Sequence, residues 1–441
     1  MKRIGVYWFT HDLRVNDNPL LHKATQELDA LICIYCVPNI TPFLQHFAQQ
    51  SQLSHLRRQF IYQAVHSLKE SLQRYEQPLL VLDKAPLTVL RHLIENHQVT
   101  HVYCDQFAGY DEQQVCTQLR REFPNLVLSQ LASNTLFKQE QLPFALTELP
   151  NTFTQFRKLV EPLSIMQPCS RPSSLPPAIE VPLATTHFPL VAQEQTFYQG
   201  GEAAAIAHCQ RYFATTSASH YKETRNALDD ELASTKFSPW LALGCVSPKT
   251  IVAMLRHYEA QQGQNESTYW IVFELLWREY FYWYARKYHS ALFRFAGIHH
   301  KRPLTSFYAS RFLQWIKGYT PYPIVNACMK QLNETGYMSN RGRQLAASCL
   351  IHELGLDWRY GAAYFETQLL DYDVASNWGN WQYLAGVGAD PRGSRQFNLD
   401  SQTDIYDPQR QFIKRWRGED NLADIYDVDM ADWPILPKDK Q

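Results

Sequence analysis

NRGRQLAASCLIHELGLDWRYGAAYFETQLLDYDVASNWGNWQY, residues Asn340–Tyr383, concentrates more chemically active side chains than any other stretch of this 441-residue chain. Preceded by Ser339, it begins with Arg341 and Arg343 two apart, ahead of an apolar run with helical spacing. Alone, SNRGRQ would read as a solvated turn. The far end, DYDVASNWGNWQY (Asp371–Tyr383), places two Asp at i and i+2 before Asn377, Trp378, Trp381 and Tyr383. That is poor helix sequence, and as a loop it is too aromatic to be left in water. Asp371 is a natural partner for Arg343 or Arg341, since a guanidinium and a carboxylate match in charge and geometry. A carboxylate pair holding a metal is the competing reading, but no nearby His completes such a site.

Outward from this stretch, residues from about 200 to 441 read as helical. Ten of the eleven tryptophans lie here, from Trp240 onward. TYWIVFELLWREYFYWYARKYH (Thr268–His289) spaces Trp270, Phe273, Trp277, Tyr280 and Tyr284 by three and four residues, as on one face of a helix. Most of these rings read as core. Glu274, Arg278 and Glu279 interrupt the same segment, and a charge among aromatics is costly unless paired or functional. Ser234, Thr235 and Ser238 gather just before Pro239 in STKFSPW. Hydroxyls and free N–H groups at a helix start suit phosphate or pyrophosphate, although such segments more often serve as plain caps.

Residues 1 to about 131 follow another pattern. Apolar runs at Ile4–Phe9, Ala30–Val37, Leu79–Leu82, His101–Cys104 and Leu126–Leu131 alternate with helix-like segments. Ser54–Tyr75 sets Leu56, Phe60, Ala64 and Leu68 on one face, with Ser54 as N-cap. Alternation of strand and helix predicts an α/β domain, a doubly wound parallel sheet with helices on both faces. The first turn, FTHDLRVNDNP, has no GxGxxG and so no ordinary dinucleotide site. Asp17 or Asn18 before Pro19 marks a helix start. Between the two zones, about 132 to 200, seven prolines from Pro162 to Pro189 exclude helix and central strand. A short helix near TFTQFRKLVEP precedes them. The reading is a domain at 1–131, a long linker at 132–200 and a helical domain at 201–441.

Bulk properties narrow the classes. Hydrophobic content of 45% excludes a disordered chain. With a net charge of −1, a nucleic-acid partner must be held by a local basic cleft. Nine scattered Cys and no visible leader predict a reducing, cytoplasmic setting. Cys33 and Cys36 form a CxxC inside ALICIYCV, which reads as two buried strand residues. No apolar run is long enough to span a bilayer.

At this point the residues match a family. PYPIVNACMKQLNETGYMSNRGRQLAASCLIHELGLDWRYGAAYFETQLLDYDVASNWGNWQY closely resembles the flavin-binding core of photolyases and cryptochromes. FTHDLRVNDNPLL resembles that family's opening motif, with Thr10 where Arg is usual. HYKETRNALDDELASTKFSPWLALGCVSP, TFTQFRK and YMSNRGRQ resemble the DASH cryptochromes within it. The resemblance implies an α/β antenna domain joined to a large all-helical FAD domain. In it, Tyr221 and Ser234, Thr235, Lys236, Phe237 and Ser238 would hold the ribityl–diphosphate part. Trp270, Arg278 and Asn340 would contact the cofactor, and Arg343 and Asp371 would pair beside the isoalloxazine. Asp373 would lie near the adenine–flavin contact, and Asn377 would face flavin N5 with a neutral amide. Photoreduction would run through Trp381 and then Trp358. The usual third tryptophan falls near residues 305 to 308, where Thr305, Phe307 and Tyr308 stand, so Trp315 or a tyrosine would complete the path.

The resemblance also implies repair of cyclobutane pyrimidine dimers by reduced FAD under blue light. Glu274 would hydrogen-bond and protonate the flipped dimer, with Asn340 and Trp277 lining its pocket and Trp277 offering a stacking face. Arg225, Arg341, Arg392 and Arg395 would meet phosphates. Gln344 and Tyr383 stand where duplex-repairing photolyases carry Met and Trp. That pocket would prefer single-stranded or looped DNA, where unstacking costs less, with RNA as a further partner. The SNRGR stretch has no His, which lowers a (6-4) photolyase reading. A methenyltetrahydrofolate antenna is implied, with Asp111 or Glu112 as its carboxylate. A monomer is expected. The alternative function is a blue-light receptor that signals to a partner with little repair. A flavin electron carrier with no DNA role is weaker still.

Overall fold

A computed structural model describes residues 2–186, 198–389, 393 and 395–425. Five strands, β1 (Ile4–Phe9), β2 (Ala30–Cys36), β3 (Leu79–Leu82), β4 (His101–Asp105) and β5 (Val127–Leu131), form one sheet in the order β3-β2-β1-β4-β5. Every pairing is parallel. This is the doubly wound arrangement expected from the alternating pattern, and the strands fall on the apolar runs to within a residue or two. Because successive side chains point to opposite faces, the sheet divides its residues in two. Val6, Trp8, Ile32, Ile34, Val102 and Cys104 pack with the Pro86–Asn96 and Tyr110–Glu122 helices. Tyr7, Phe9, Leu31, Cys33, Tyr35 and Tyr103 belong to a core that runs on without a break into the helical domain. Cys33 and Cys36 are both buried in β2.

Caps fix the helix starts where the sequence placed them. Asn18 accepts from the Leu21 N–H ahead of Pro19–Glu27, and Ser54 accepts from the Arg57 N–H ahead of His55–Gln73. Residues 132–186 hold two 3-10 turns, the Phe153–Val160 helix and irregular backbone. The remainder of the expected linker includes residues 187–197, outside the described residues.

The opening motif joins the two halves of the molecule. Arg14 is 1% exposed and donates to the carbonyls of Asp17, Ser133 and Gly244 and to Asn134 Oδ1. The Leu13 N–H donates to the Leu243 carbonyl at 3.0 Å. Gly244 has φ +64°, and a Cβ there would lie 1.9 Å from the His11 carbonyl oxygen, so only glycine permits this approach. Two buried carboxylates cap loop N–H groups from the other side. Glu202 accepts from Val15 and Asn16, and Glu279 from Leu136 and Phe137.

The helical half is built around Glu266–Tyr288, capped by Asn265, with Pro323–Thr335, Asn340–Ser348, Trp358–Gln368 and Val374–Leu384 about it. One expectation is overturned. Asp371–Tyr383, read as poor helix sequence, contains the helix Val374–Leu384. Asp373 is its N-cap, accepting from the Ser376 N–H at 2.8 Å. Gly379 lets it lie against the long helix, since a Cβ there would meet Phe281 Cδ1 at 2.4 Å. Burial of Trp378 and Trp381 by tertiary packing overrides weak propensity. SNRGRQ is likewise no open turn: Ser339 caps the helix Asn340–Ser348 through the Gly342 N–H.

Candidate functional site

The helices converge on a cavity of about 450 Å³. That is within the usual ligand-site range of roughly 300–1,000 Å³. Its wall takes Tyr221, Arg225 and Ser234, Thr235, Lys236, Phe237 and Ser238 from one side. The long helix contributes Phe273, Glu274, Trp277 and Arg278, and the Asn340–Tyr383 stretch contributes Asn340, Arg343, Gln344, Asp371, Asp373 and Tyr383. Arg395 completes it. A smaller adjoining hollow adds Asn377 and Trp381 to Asn340, Arg343, Asp371 and Asp373. Five basic side chains against three carboxylates line the larger space, giving the local positive excess that the net charge of the chain lacks.

Two ion pairs organise the wall. Arg343 donates to Asp371 Oδ2 at 2.7 Å, and the Asp371 side chain is only 2% exposed. A metal reading of the Asp371–Asp373 pair fails, because Asp371 is held by Arg343 while Asp373 caps a helix 3.7 Å from Arg278. Arg225 donates to Glu274 Oε1 at 2.6 Å. Burial raises the Glu274 carboxyl above its ordinary range, with the Arg225 charge pulling the other way. Burial lowers Lys236, whose ammonium lies 5.1 Å over the Tyr337 ring. Lys236 holds φ +48°, which turns the chain sharply between Thr235 and Phe237.

Other expected residues lie nearby or elsewhere. Trp270 stands behind the wall, stacked on Phe273 at 4.5 Å with Arg225 over its ring. Trp277 reaches the cavity, but Phe153 covers one face of its indole at 3.8 Å and 13°. The free stacking platform expected of it is therefore at most one-sided. Arg341 turns away from the cavity, with its guanidinium over Tyr406 at 4.7 Å and near Gln402 and Asn226. Arg392 lies outside the described residues. Asp111 and Glu112 occupy the first turn of the Tyr110–Glu122 helix, in the α/β half. Trp358 is buried, its Nε1–H donating to the Phe295 carbonyl at 3.0 Å. Near 305–308, Phe307 stacks on Tyr360 at 4.0 Å, and Trp315 approaches Trp381 to 6.3 Å. Sequence reading missed Phe153 and Tyr337. The helix predicted at TFTQFRK was a signal for the first, and the position next to MSNRG for the second.

The wall fits a large polar cofactor. Asp371 Oδ1 is a buried polar atom with no protein partner. Asp371 lines a cavity of ligand size, and such an atom costs roughly 1–3 kcal/mol if left unmet.

Family models decide what kind of cofactor. Residues 5–175 match DNA photolyase, and residues 270–432 match the FAD-binding domain of DNA photolyase. A cryptochrome DASH of Vibrio parahaemolyticus is 59% identical over 434 residues, covering 98% of each chain. The chain belongs to the photolyase/cryptochrome family, DASH type. Its DASH relatives include one from Synechocystis, 39% identical across 93% of this chain and 87% of that protein. The crystal structure of a Synechocystis cryptochrome superposes with a TM-score of 0.86 at 38% identity, covering 94% of this chain and 89% of that one. A class III photolyase from Agrobacterium tumefaciens shares the fold, at TM-score 0.77 and 24% identity. The helical half that holds the cavity is matched by the FAD-binding domain of the family and the parallel sheet by its DNA photolyase domain, and the residues lining the cavity fit FAD. Among the described residues no helix is long and apolar enough to cross a membrane.

Proposed function

We propose that this protein repairs cyclobutane pyrimidine dimers in single-stranded or looped DNA, using blue light and fully reduced FAD. One observation carries the reading: residues suited to flavin and residues suited to a flipped base line the same cavity. When bound, FAD absorbs the light and supplies the electron. The Ser234–Ser238 segment and Tyr221 hold its diphosphate side, with hydroxyls and the Lys236 charge. Arg343 and Asp371 fix the ring side, and Asn377 presents an amide able to donate or accept. Trp381 and Trp358 carry electrons inward to reduce it.

Glu274 acts on the lesion. Its raised carboxyl keeps a protonated fraction at a higher pH than an exposed glutamate, so it can donate a hydrogen bond and a proton to a dimer carbonyl. Asn340 positions the bases, and Trp277 packs against them. Arg395, whose guanidinium lies over Tyr383 at 4.6 Å, meets a phosphate at the rim. Gln344 and Tyr383 give the flipped dimer a more polar, smaller contact than Met and Trp would. The gain then offsets unstacking only where the strand is already single. Methenyltetrahydrofolate serves as antenna beside Asp111 and Glu112, and the protein works as a cytoplasmic monomer with a linker at 132–200.

A second reading, a light receptor with little repair, draws on two contacts: the Arg225 lock on Glu274 and the Phe153 cover on Trp277. Glu274→Ala separates the two. It should cut dimer loss from an irradiated single-stranded oligonucleotide about tenfold or more without lowering FAD content. Repair unchanged in this variant would remove Glu274 from the mechanism.

A further inference from the structure

Trp378 is fully buried and lines neither cavity. Its ring lies 5.8 Å from that of Trp358 at 76°, closer than Trp315 comes to Trp381. On its other side are Phe293 at 4.9 Å and Phe43 at 5.7 Å, and Phe43 is 39% exposed. An aromatic path therefore continues from Trp358 toward solvent through Trp378. Its hydrogen bond differs in kind from those of its neighbours. Trp315 and Trp358 donate Nε1–H to the carbonyls of Ala346 and Phe295, which accept a hydrogen bond but cannot keep a proton. Trp378 donates to the carboxyl Oε2 of Glu366 at 2.9 Å.

We propose that Trp378 is the terminal electron donor of photoreduction and that Glu366 takes its indole proton. This rests on the reading that Trp381 and Trp358 feed the flavin. Trp381 gives one electron to the photoexcited oxidised flavin, and the deficit moves through Trp358 to Trp378. Trp378 has then lost one electron, and its N–H bond breaks. The proton passes along the existing hydrogen bond to Glu366, leaving a neutral indolyl radical and a carboxylic acid. An external thiol reaching the Phe43 side returns the electron, and Glu366 returns the proton. An oxidised indole is far more acidic than indole, and once its proton is gone the charge cannot recombine without it. The proton transfer thus traps the separated charge. Three groups face Glu366: the Arg57 guanidinium, the Tyr372 hydroxyl and, more remotely, the Glu112 carboxylate. Burial raises the Glu366 carboxyl, making it a better base than a surface glutamate.

Transient absorption after a blue flash on the FAD-loaded protein distinguishes protonated from deprotonated indole radicals. In the unmodified protein a deprotonated radical should form, more slowly in D2O than in H2O. Trp378→Phe should shorten the life of the separated charge. Glu366→Gln keeps an acceptor oxygen but takes no proton. In it the radical should remain protonated, while released FAD per chain stays unchanged. A deprotonated radical of unchanged lifetime in Glu366→Gln would overturn the proposal. So would an unchanged signal in Trp378→Phe when Trp381→Phe abolishes it. If Trp381→Phe itself leaves the signal intact, the electron path beneath the proposal is what fails. Should Trp378→Phe not fold, the isotope comparison and Glu366→Gln still decide.

Discussion

Asp371 is a buried carboxylate with one oxygen on Arg343 and the other facing the cavity without a protein donor. Removing it strands the Arg343 charge. Arg343 keeps 25% of its side chain exposed, so the cost should fall below that of a fully buried pair, on the order of 2–3 kcal/mol. Asp371→Ala should therefore lower the melting temperature and leave the purified protein largely without FAD, read from its visible absorption. Full FAD occupancy would show that the pair does not hold the flavin. The residues alone left Arg343 or Arg341 as the partner of Asp371, the family resemblance implied Arg343, and the fold brings those two together. The environment of Trp277 was not legible in the sequence. Helical spacing gave its face on its own helix but could not give Phe153, which arrives from a segment 124 positions earlier by residue number.

Elements show where propensity yields to packing. The strands of the α/β half follow apolar runs whose ends are set by turns, and Asn18 and Ser54 cap the helices that follow them. Val374–Leu384 is the opposite case: Asn and Gly weaken it locally, and the cap at Asp373 together with two buried tryptophans restores it. The contact at Gly379 is the sensitive point. Gly379→Ala would raise intrinsic helix propensity by up to about 1 kcal/mol. The added methyl group, however, would press on Phe281 and push the helix away from Glu266–Tyr288, at a cost of about 1–3 kcal/mol. Net destabilisation and weaker FAD binding are expected, measured by urea unfolding and FAD titration. A more stable variant would show that the two helices have slack.

Across the whole molecule, buried carboxyls hold together segments that are distant in the sequence. Glu279 is pushed up to about 7 by burial, against hydrogen bonds from Leu136, Trp283 and Phe137. Burial and the Asp12 charge raise Asp105, which accepts from Ser133 N–H and Oγ–H. In the unfolded chain such groups ionise near their usual values of about 4. Above that pH and up to their raised values, the folded chain binds more protons than the unfolded one. Their contribution to stability therefore falls as pH rises through this window and is level above it. Asp105→Asn keeps an acceptor for Ser133 and removes the ionisation. Relative to the unmodified protein it should gain stability at pH 8 and not at pH 4, by denaturant unfolding. An equal effect at both would exclude titration as the cause. These contacts were invisible in sequence, since Glu279 and Leu136 are 143 residues apart and only the fold brings them together. The family and its flavin-binding domain were legible, because they reside in contiguous motifs.

The most direct test of the proposed function is dimer loss from matched single-stranded and duplex oligonucleotides, incubated with fully reduced protein in blue light and in the dark. Loss should occur only in light and be faster in the single strand. Intact dimers in the illuminated single strand, with reduced FAD bound in full, would contradict repair as its function.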